Sequence, residues 1–139
     1  MPDRIASFEE FWPYYVKAHA KKWNRRLHFA GTTAALAVAG LSAVTLRPSL
    51  LLLAPVVGYG PAWFGHFVLE GNKPATFGYP AWSLKADFVM WSKMLAGTMD
   101  AEVARVLAED AERAAERSAE RGVVDVDVAP VAESAAAMN

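Results

Sequence analysis

The chain has 139 residues, no cysteine and a formal net charge of −1 at pH 7. This length suits one domain with a short appendage, the lack of cysteine excludes disulfides and thiolate metal sites, and the near-neutral charge argues against a nucleic-acid partner. Hydrophobic residues make up 54% of the chain. Because they are concentrated between residues 27 and 99, the composition is typical of a membrane protein rather than of a large soluble core.

The N-terminal segment predicts a capped helix. Ser7 and Glu10 have the spacing of a capping box, in which each side chain satisfies a free backbone amide of the first turn. The helix should run to about Lys21. Pro13 should either kink it or mark its true start, because proline cannot donate a hydrogen bond inside a helix.

A break in the chain is needed for the first two histidines to meet. His19 and His28 are nine positions apart, so a single straight helix would place them on opposite faces. Asn24 is a plausible cap for the next helix. A turn at Trp23 and Asn24 would therefore bring the two imidazoles together.

Two apolar runs, residues 27–46 and 48–69, predict a pair of membrane spans. Each has about the ~20 residues that a helix needs to cross a bilayer, and Arg47 lies in the turn between them. The basic flanks place both termini in the cytoplasm by the positive-inside rule. A soluble bundle that buries both helices is the alternative. The flanking cations are Lys17, Lys21, Lys22, Arg25 and Arg26 before the first run and Lys73, Lys85 and Lys93 after the second.

The remaining elements predict helices outside the bilayer core. Pro80 should open a helix over about residues 81–96, which is short for a span and is expected to lie in the membrane interface against the hairpin. Asp100 should cap a solvated helix over residues 99–121, and Gly122 should end it. Residues 122–139 are predicted to be disordered. The expected fold is an all-α integral membrane hairpin with flanking interfacial helices, a membrane domain over residues 1–98 and a soluble C-terminal helix.

All three histidines of the chain fall at one face of the predicted membrane. His19 and His28 precede or begin the first span, and His66 lies near the end of the second. Imidazoles beside a carboxylate are ligands for Fe(II), Mn(II) or Zn(II), and a site with open positions suits Fe(II) oxygen chemistry. Glu70, four residues after His66, can face the same metal. The sequence therefore indicates a metal site acting on a lipid.

Two further residues are candidates to orient the imidazoles. Asn24 lies four residues before His28, and Asp87 lies on the helix after the second span. A side chain that binds the second ring nitrogen of a metal-ligating imidazole fixes the tautomer and the direction of that imidazole. The alternative is that each histidine is an interfacial residue whose side chain only binds backbone groups.

Several short segments, in this order and spacing, resemble the Mpo-type membrane family, which was long catalogued as a domain of unknown function. The resemblance covers residues 7 to about 98 and excludes the C-terminal helix and tail. Its motifs are residues 7–15 (SFEEFWPYY), His19, residues 24–28 (NRRLH), residues 58–66 (GYGPAWFGH) with Glu70, residues 73–77 (KPATF) and residues 80–84 (PAWSL).

The resemblance implies an activity. The characterised fungal branch of the family is an endoplasmic-reticulum, Fe(II)-dependent dioxygenase of phytosphingosine breakdown, which shortens 2-hydroxy fatty acids by one carbon and binds its metal through histidines. His19, His28 and His66 match those histidine motifs, so the resemblance implies that they are the catalytic metal ligands, with Fe(II) as cofactor. Membrane lipid and a long-chain 2-hydroxy fatty acid are the implied partners.

The interpretation is thus a small membrane dioxygenase of 2-hydroxy fatty acids. Lys22, Arg25 or Arg26 can pair with the substrate carboxylate, although cations at span ends more simply anchor the helix at the interface. A non-catalytic membrane module that binds lipid or a partner protein is the alternative function. The Ala- and Arg-rich composition favours a bacterial plasma membrane. The sequence leaves the oligomeric state open.

Overall fold

The computed structural model describes the backbone of residues 5–136 and the side chains of residues 5–121. Helix accounts for 85% of the structure, and no strand occurs in the described part of the chain. The all-α prediction is therefore confirmed. The chain forms two compact units, Met1–Ala104 and Arg105–Asn139, and all of the side chains of the candidate site belong to the first.

The first helix, α1, spans Phe8–Ala18 and begins where the capping box predicts. Ser7 Oγ accepts a hydrogen bond from Glu10 N at 3.2 Å, and Glu10 Oε2 accepts one from Ala6 N at 3.2 Å. Pro13 lies inside the helix, so it does not mark the start. The cap at Ser7 satisfies the free amide of Glu10 in the first turn and fixes the start there. One face of α1 is buried and consists of Phe11, Trp12, Tyr15 and Val16.

The second helix, α2, spans Lys22–Thr45, so the break in the chain comes before the predicted turn at residues 23–24. Lys21 has an extended backbone, and its N–H donates to Glu70 Oε1 at 2.8 Å. Asn24 lies within the first turn of α2 and is fully buried. The prediction that Asn24 caps this helix is therefore wrong, because a carboxylate from a distant segment captures the amide at the break.

The second apolar run forms one continuous but irregular helical segment. It starts as a 3₁₀ helix over Pro48–Leu53, continues as helix α3 over Ala54–Phe64 and ends in a π turn over Gly65–Glu70. A π turn holds more residues than an α turn. Side-chain directions after Phe64 therefore depart from the α-helical periodicity of α3.

The backbones of α2 and α3 approach closely near the histidines. A Cβ atom at Gly31 would clash with the carbonyl oxygen of Gly58, and one at Gly65 would clash with Oδ1 of Asn24. At Gly40, nearer the turn between the segments, a Cβ would meet nothing within 4 Å. Small residues permit such contact between helices in a membrane.

Both apolar segments are long and apolar enough to cross a membrane, judged by length and composition. Only 17% of the apolar window of each segment is buried, whereas the core helix of a soluble protein buries most of its surface. This exposure does not fit the alternative of a soluble bundle that buries both helices. Strongly exposed apolar side chains in and beside these segments include Val44, Leu46, Leu52, Val56 and Val68.

Helix α4 spans Pro80–Leu95 and begins with the predicted proline. Its buried face consists of Ser83, Ala86 and Met90, while Leu84 is half exposed. The chain then turns at Gly97, whose φ of 70° lies in the left-handed region that favours glycine. This helix brings Ser83 and, one turn later, Asp87 toward α2.

The last helix, α5, spans Met99–Ala136 and corrects two predictions. It begins one residue before Asp100, whose carboxylate pairs with Lys22 at 2.9 Å instead of capping the helix. It also continues past Gly122, because one glycine costs a helix only about 1 kcal/mol and does not by itself end it. The predicted disorder of the tail stays a prediction, and residues 137–139 lie outside the described residues.

Candidate metal centre

Three elements bring the three histidines together. His19 follows the last residue of α1, His28 lies in the second turn of α2, and His66 lies in the π turn. His28 Nε2 lies 3.1 Å from His19 Nε2 and 3.2 Å from His66 Nε2. The three form a group whose ligand atoms all lie within 4.8 Å of one another. The predicted convergence of the histidines is therefore confirmed.

The other nitrogen of each imidazole faces an oxygen that can only accept a hydrogen bond. His19 Nδ1 donates to the carbonyl of Tyr15 at 2.7 Å, and His28 Nδ1 donates to Asp87 Oδ1 at 2.9 Å. His66 Nδ1 donates to Asn72 Oδ1 at 2.7 Å. These acceptors assign the protons to Nδ1. Each Nε2 therefore presents a lone pair toward the other two.

The orientation of the Asn72 amide is fixed by a separate contact. Asn72 Nδ2 donates to the carbonyl of Ala18 at 3.1 Å, so its Oδ1 must be the atom that faces His66. The same residue also donates its backbone N–H to the carbonyl of His66 at 3.1 Å. Asn72 thus ties the π turn to the end of α1 and orients the third imidazole.

Three converging lone pairs in a buried space repel one another unless a cation lies between them. His19 and His66 are each 1% exposed, and His28 is 6% exposed. Nitrogen ligands about 2.1 Å from one ion, at angles of about 90–100°, lie roughly 3.0–3.2 Å apart, as the two closest pairs do here. The donor set, its direction and its spacing fit a divalent metal.

Burial keeps His19 in the form that binds a metal. Removal from water lowers the pKa of His19 well below its usual value, and the neighbouring His28 and His66 lower it further. The imidazole is therefore neutral at pH 7. A neutral imidazole is the ligating form, since protonation would occupy the lone pair.

A buried tyrosine completes the support of His28. The Tyr15 hydroxyl donates to Asp87 Oδ1, the same oxygen that accepts from His28 Nδ1. Burial raises the pKa of Tyr15 well above its usual value, and the charge of Asp87 and this hydrogen bond raise it further, so the hydroxyl stays a donor. The Tyr15 ring also stacks on His19, with ring centroids 3.9 Å apart. One residue thus contacts both sides of the cluster.

The structure directs Glu70 and Asn24 to contacts other than those expected. Glu70 Oε1 accepts from Lys21 N at 2.8 Å and from Asn24 Nδ2 at 3.4 Å. Asn24 packs against Gly65, and its buried Oδ1 has no hydrogen-bond partner in the part of the chain that the structure describes. Of the two predicted orienting residues, Asp87 therefore contacts an imidazole and Asn24 does not. A ligand role for Glu70 stays a prediction.

The predicted carboxylate-binding cations lie at a separate cavity of about 170 Å³. Arg25 is buried, donates to the carbonyl of His19 at 2.9 Å and pairs with Asp100 at 2.7 Å. Lys22 pairs with the same carboxylate, and the Arg26 guanidinium lies 4.6 Å from the ring centroid of Trp23. None of the three cations lines the cavity at the histidines.

The chain matches the family model described as 2-hydroxy-palmitic acid dioxygenase Mpo1-like over residues 5–99. It belongs to this Mpo1-like family. Comparison with curated proteins gave no match, and comparison with solved structures gave none either. All of the residues that hold or orient the three imidazoles lie within the matched region.

Two connected spaces adjoin the histidines of this Mpo1-like chain. The smaller, which we call the histidine cavity, has a volume of about 10 Å³, roughly the space of one water-sized sphere. The larger, which we call the apolar groove, has a volume of about 370 Å³ and runs between α2, α3 and α4. The two share the lining residues His28, Tyr59, Ala62 and Asp87, so the groove lies directly beside the three histidines.

Sequence reasoning missed three polar residues of the site. Tyr15 receives no role at the site from the sequence pattern, although it lies four residues before His19 on the face of α1 that leads to it. Asn72 lies in a loop, where no periodicity predicts direction. Ser83 lines the histidine cavity and had no signal beyond its place in a motif shared with the family.

Proposed function

We propose that this chain is an Fe(II)-dependent membrane dioxygenase that shortens long-chain 2-hydroxy fatty acids by one carbon. The observation that carries the proposal is the convergence of three Nε2 lone pairs, each directed by a hydrogen bond at the opposite nitrogen. Membership of a family described by its 2-hydroxy-palmitic acid dioxygenase supports the reaction.

His19, His28 and His66 would hold the metal through Nε2. Three neutral nitrogen donors leave positions open, a pattern that suits Fe(II) in oxygen chemistry. The ion, when bound, would supply dioxygen activation and a Lewis acid for the carboxylate and 2-hydroxyl of the substrate. Asp87 and Asn72 would orient two of the imidazoles. Their loss should therefore weaken metal binding rather than unfold the chain.

The apolar groove would hold the alkyl chain of the substrate. It begins at His28 and reaches Ala39, 11 residues further along α2, which is about 16 Å at the rise of an α-helix. Its lining between these ends is almost entirely apolar, including Leu36, Leu51 and Phe88. Burying a chain there stabilises the complex by roughly 0.8 kcal/mol per methylene, so long chains should bind better than short ones.

The membrane arrangement is part of the proposal. The two apolar segments would cross the bilayer as a hairpin with both termini in the cytoplasm, as the basic flanks indicate, in a bacterial plasma membrane. Reporter fusions at Arg47 and at the C-terminus should then report opposite sides of the membrane. Both fusions on one side would contradict this topology.

The reaction can be tested with iron-loaded protein in lipid nanodiscs. We expect oxygen uptake with 2-hydroxypalmitic acid and formation of the acid one carbon shorter, with no uptake when palmitic acid is supplied instead. The matched control is His66→Ala, which removes one ligand. An iron-replete wild-type protein that consumes no oxygen with 2-hydroxy acids of several lengths would overturn the dioxygenase assignment.

A non-catalytic lipid-binding module is the second candidate, and the apolar groove favours it independently of any metal. In that case the groove would bind an acyl chain with or without a 2-hydroxyl group. Wild-type protein that takes up no metal but binds both acids equally would favour the module over the enzyme.

A further inference from the structure

Ser83 carries a buried hydroxyl with no hydrogen-bond partner. The residue is 2% exposed, and among the described residues its Oγ finds no donor or acceptor within hydrogen-bond range. Leaving such a group unpaired costs folding free energy, which a bound ligand with a suitable oxygen would recover. An orphan hydroxyl at this depth therefore indicates a missing partner.

Other hydroxyls on the helices of this chain do find partners. Ser92, also on α4, donates from Oγ to the carbonyl of Val89 at 2.8 Å, and Thr33 donates to the carbonyl of Phe29 at 2.7 Å. Back-bonding of this kind is the usual solution for serine and threonine in a helix. Because Ser83 does not use it, its hydroxyl is available to the space it faces.

That space is the histidine cavity. Ser83 lines it together with the three histidines, and it lies one turn before Asp87 on the same face of α4. Asp87 in turn binds His28. The hydroxyl is thus placed beside the position where the polar end of a substrate must lie if its metal-binding atoms reach the cluster.

The lining of the histidine cavity contains no lysine or arginine. Its one acidic residue, Asp87, is already bound to His28 and Tyr15. A carboxylate that reaches the edge of the cavity from the groove would therefore be recognised by the metal and by neutral donors. We propose that Ser83 donates a hydrogen bond to the carboxylate of the bound fatty acid and so positions its head group at the cluster. This inference rests on the proposed function, since it takes the ligand to be an acid whose tail lies in the apolar groove.

The test measures binding without turnover. Zinc-loaded protein in nanodiscs is titrated with 2-hydroxypalmitic acid, and the dissociation constants of wild type, Ser83→Ala and Ser92→Ala are compared. Loss of one hydrogen bond to a charged group should weaken binding by about tenfold or more for Ser83→Ala. The control Ser92→Ala removes a hydroxyl from the same helix but outside both spaces, so its affinity should equal that of wild type.

A second measurement separates recognition from structure. Metal-free Ser83→Ala should unfold at the same temperature as wild type or higher, because the variant removes an unpaired buried hydroxyl. A lower unfolding temperature together with a lower metal content would mean that Ser83 supports the fold, and would overturn the inference.

The outcomes also distinguish this inference from the proposed function. Equal affinities of wild type and Ser83→Ala would overturn the role of Ser83 and leave the dioxygenase standing. A tenfold loss in a protein whose iron form consumes no oxygen would support head-group recognition and overturn the dioxygenase alone. Wild-type protein that does not bind the acid would overturn both.

Discussion

The two ends of the α2–α3 pair differ in what they bury. At the histidine end, around residues 19–31 and 58–72, His19 and His66 are each 1% exposed. At the turn end, around residues 40–54, Val44 is 84% and Leu46 is 86% exposed. Polar groups inside and apolar groups outside reverse the rule for soluble proteins. The histidine end therefore buries the candidate metal ligands, whereas the turn end exposes large apolar side chains, as a segment long and apolar enough to cross a membrane would.

The backbones of the two segments approach closely at the histidine end, where Gly31 and Gly58 touch. Close approach is needed where imidazoles from separate segments must meet within about 3 Å. Gly40 is exposed and has open space around it, so it offers a matched position on the same helix without such a contact.

The largest expected effect comes from a side chain placed between the touching backbones. Gly31→Val should destabilise the protein by about 3 kcal/mol, because the atom it meets is a backbone oxygen that cannot rotate away. Gly40→Val adds the same side chain to the same helix in open space and should change stability by no more than about 0.5 kcal/mol. Unfolding in mixed detergent micelles measures both. Equal losses would contradict the close backbone contact at Gly31.

The next effect concerns the carboxylate that orients His28. Asp87→Ala should weaken metal binding by about 10–100-fold, because it removes the acceptor at Nδ1 and the partner of the Tyr15 hydroxyl. Competition with a chelator measures the affinity. Ser42→Ala is the control, since Ser42 is also buried and polar but lies at the turn end, where its Oγ donates to the carbonyl of Arg47 at 2.8 Å. A metal affinity lowered to the same degree in both variants would contradict the assignment of Asp87.

The smallest effect is a pH dependence of the ion pairs at the histidine end. Hydrogen bonds from Lys22 and Arg25 lower the pKa of Asp100 in the folded protein. Its contribution to stability is therefore present above the unfolded-state pKa of about 4 and is lost as the pH falls through the lower folded-state pKa. Since the Asp100 side chain is 59% exposed, solvent screening keeps this contribution small.

The variant Asp100→Asn checks this pH dependence. Its unfolding temperature should be slightly lower than that of wild type at pH 7, and the difference should disappear in acid. A difference that stays constant from neutral pH to below pH 3, a range that covers the titration of an ordinary aspartate, would show that the carboxylate charge contributes nothing here.

Features governed by local chemistry could be predicted from the sequence. The cap at Ser7 follows from a hydroxyl and a carboxylate at fixed spacing, the two long apolar segments follow from hydropathy, and the start of α4 follows from Pro80. The convergence of the histidines could be predicted because two apolar runs of similar length would return the chain to the same face of the membrane. The contact of Asp87 with an imidazole also followed.

Features fixed by distant contacts could not be predicted. The break before α2 lies at Lys21 because its amide binds Glu70, 49 residues later. The π turn changes the direction of the side chains around His66, and no periodicity rule anticipates it. Asn72 orients His66 from a loop, where direction depends on the whole fold. The predictions of helix caps at Asn24 and Asp100 are wrong for the same reason, since both side chains make contacts with distant residues instead.

The central claim is that three buried Nε2 atoms hold one metal ion, and metal content tests it most directly. Protein purified anaerobically in detergent and loaded with Fe(II) or Zn(II) should carry about one ion per chain. His19→Ala, His28→Ala and His66→Ala should each lose most of it, while Ser42→Ala keeps it. Wild-type protein that holds no metal under any loading condition, or histidine variants that all retain it, would contradict the account.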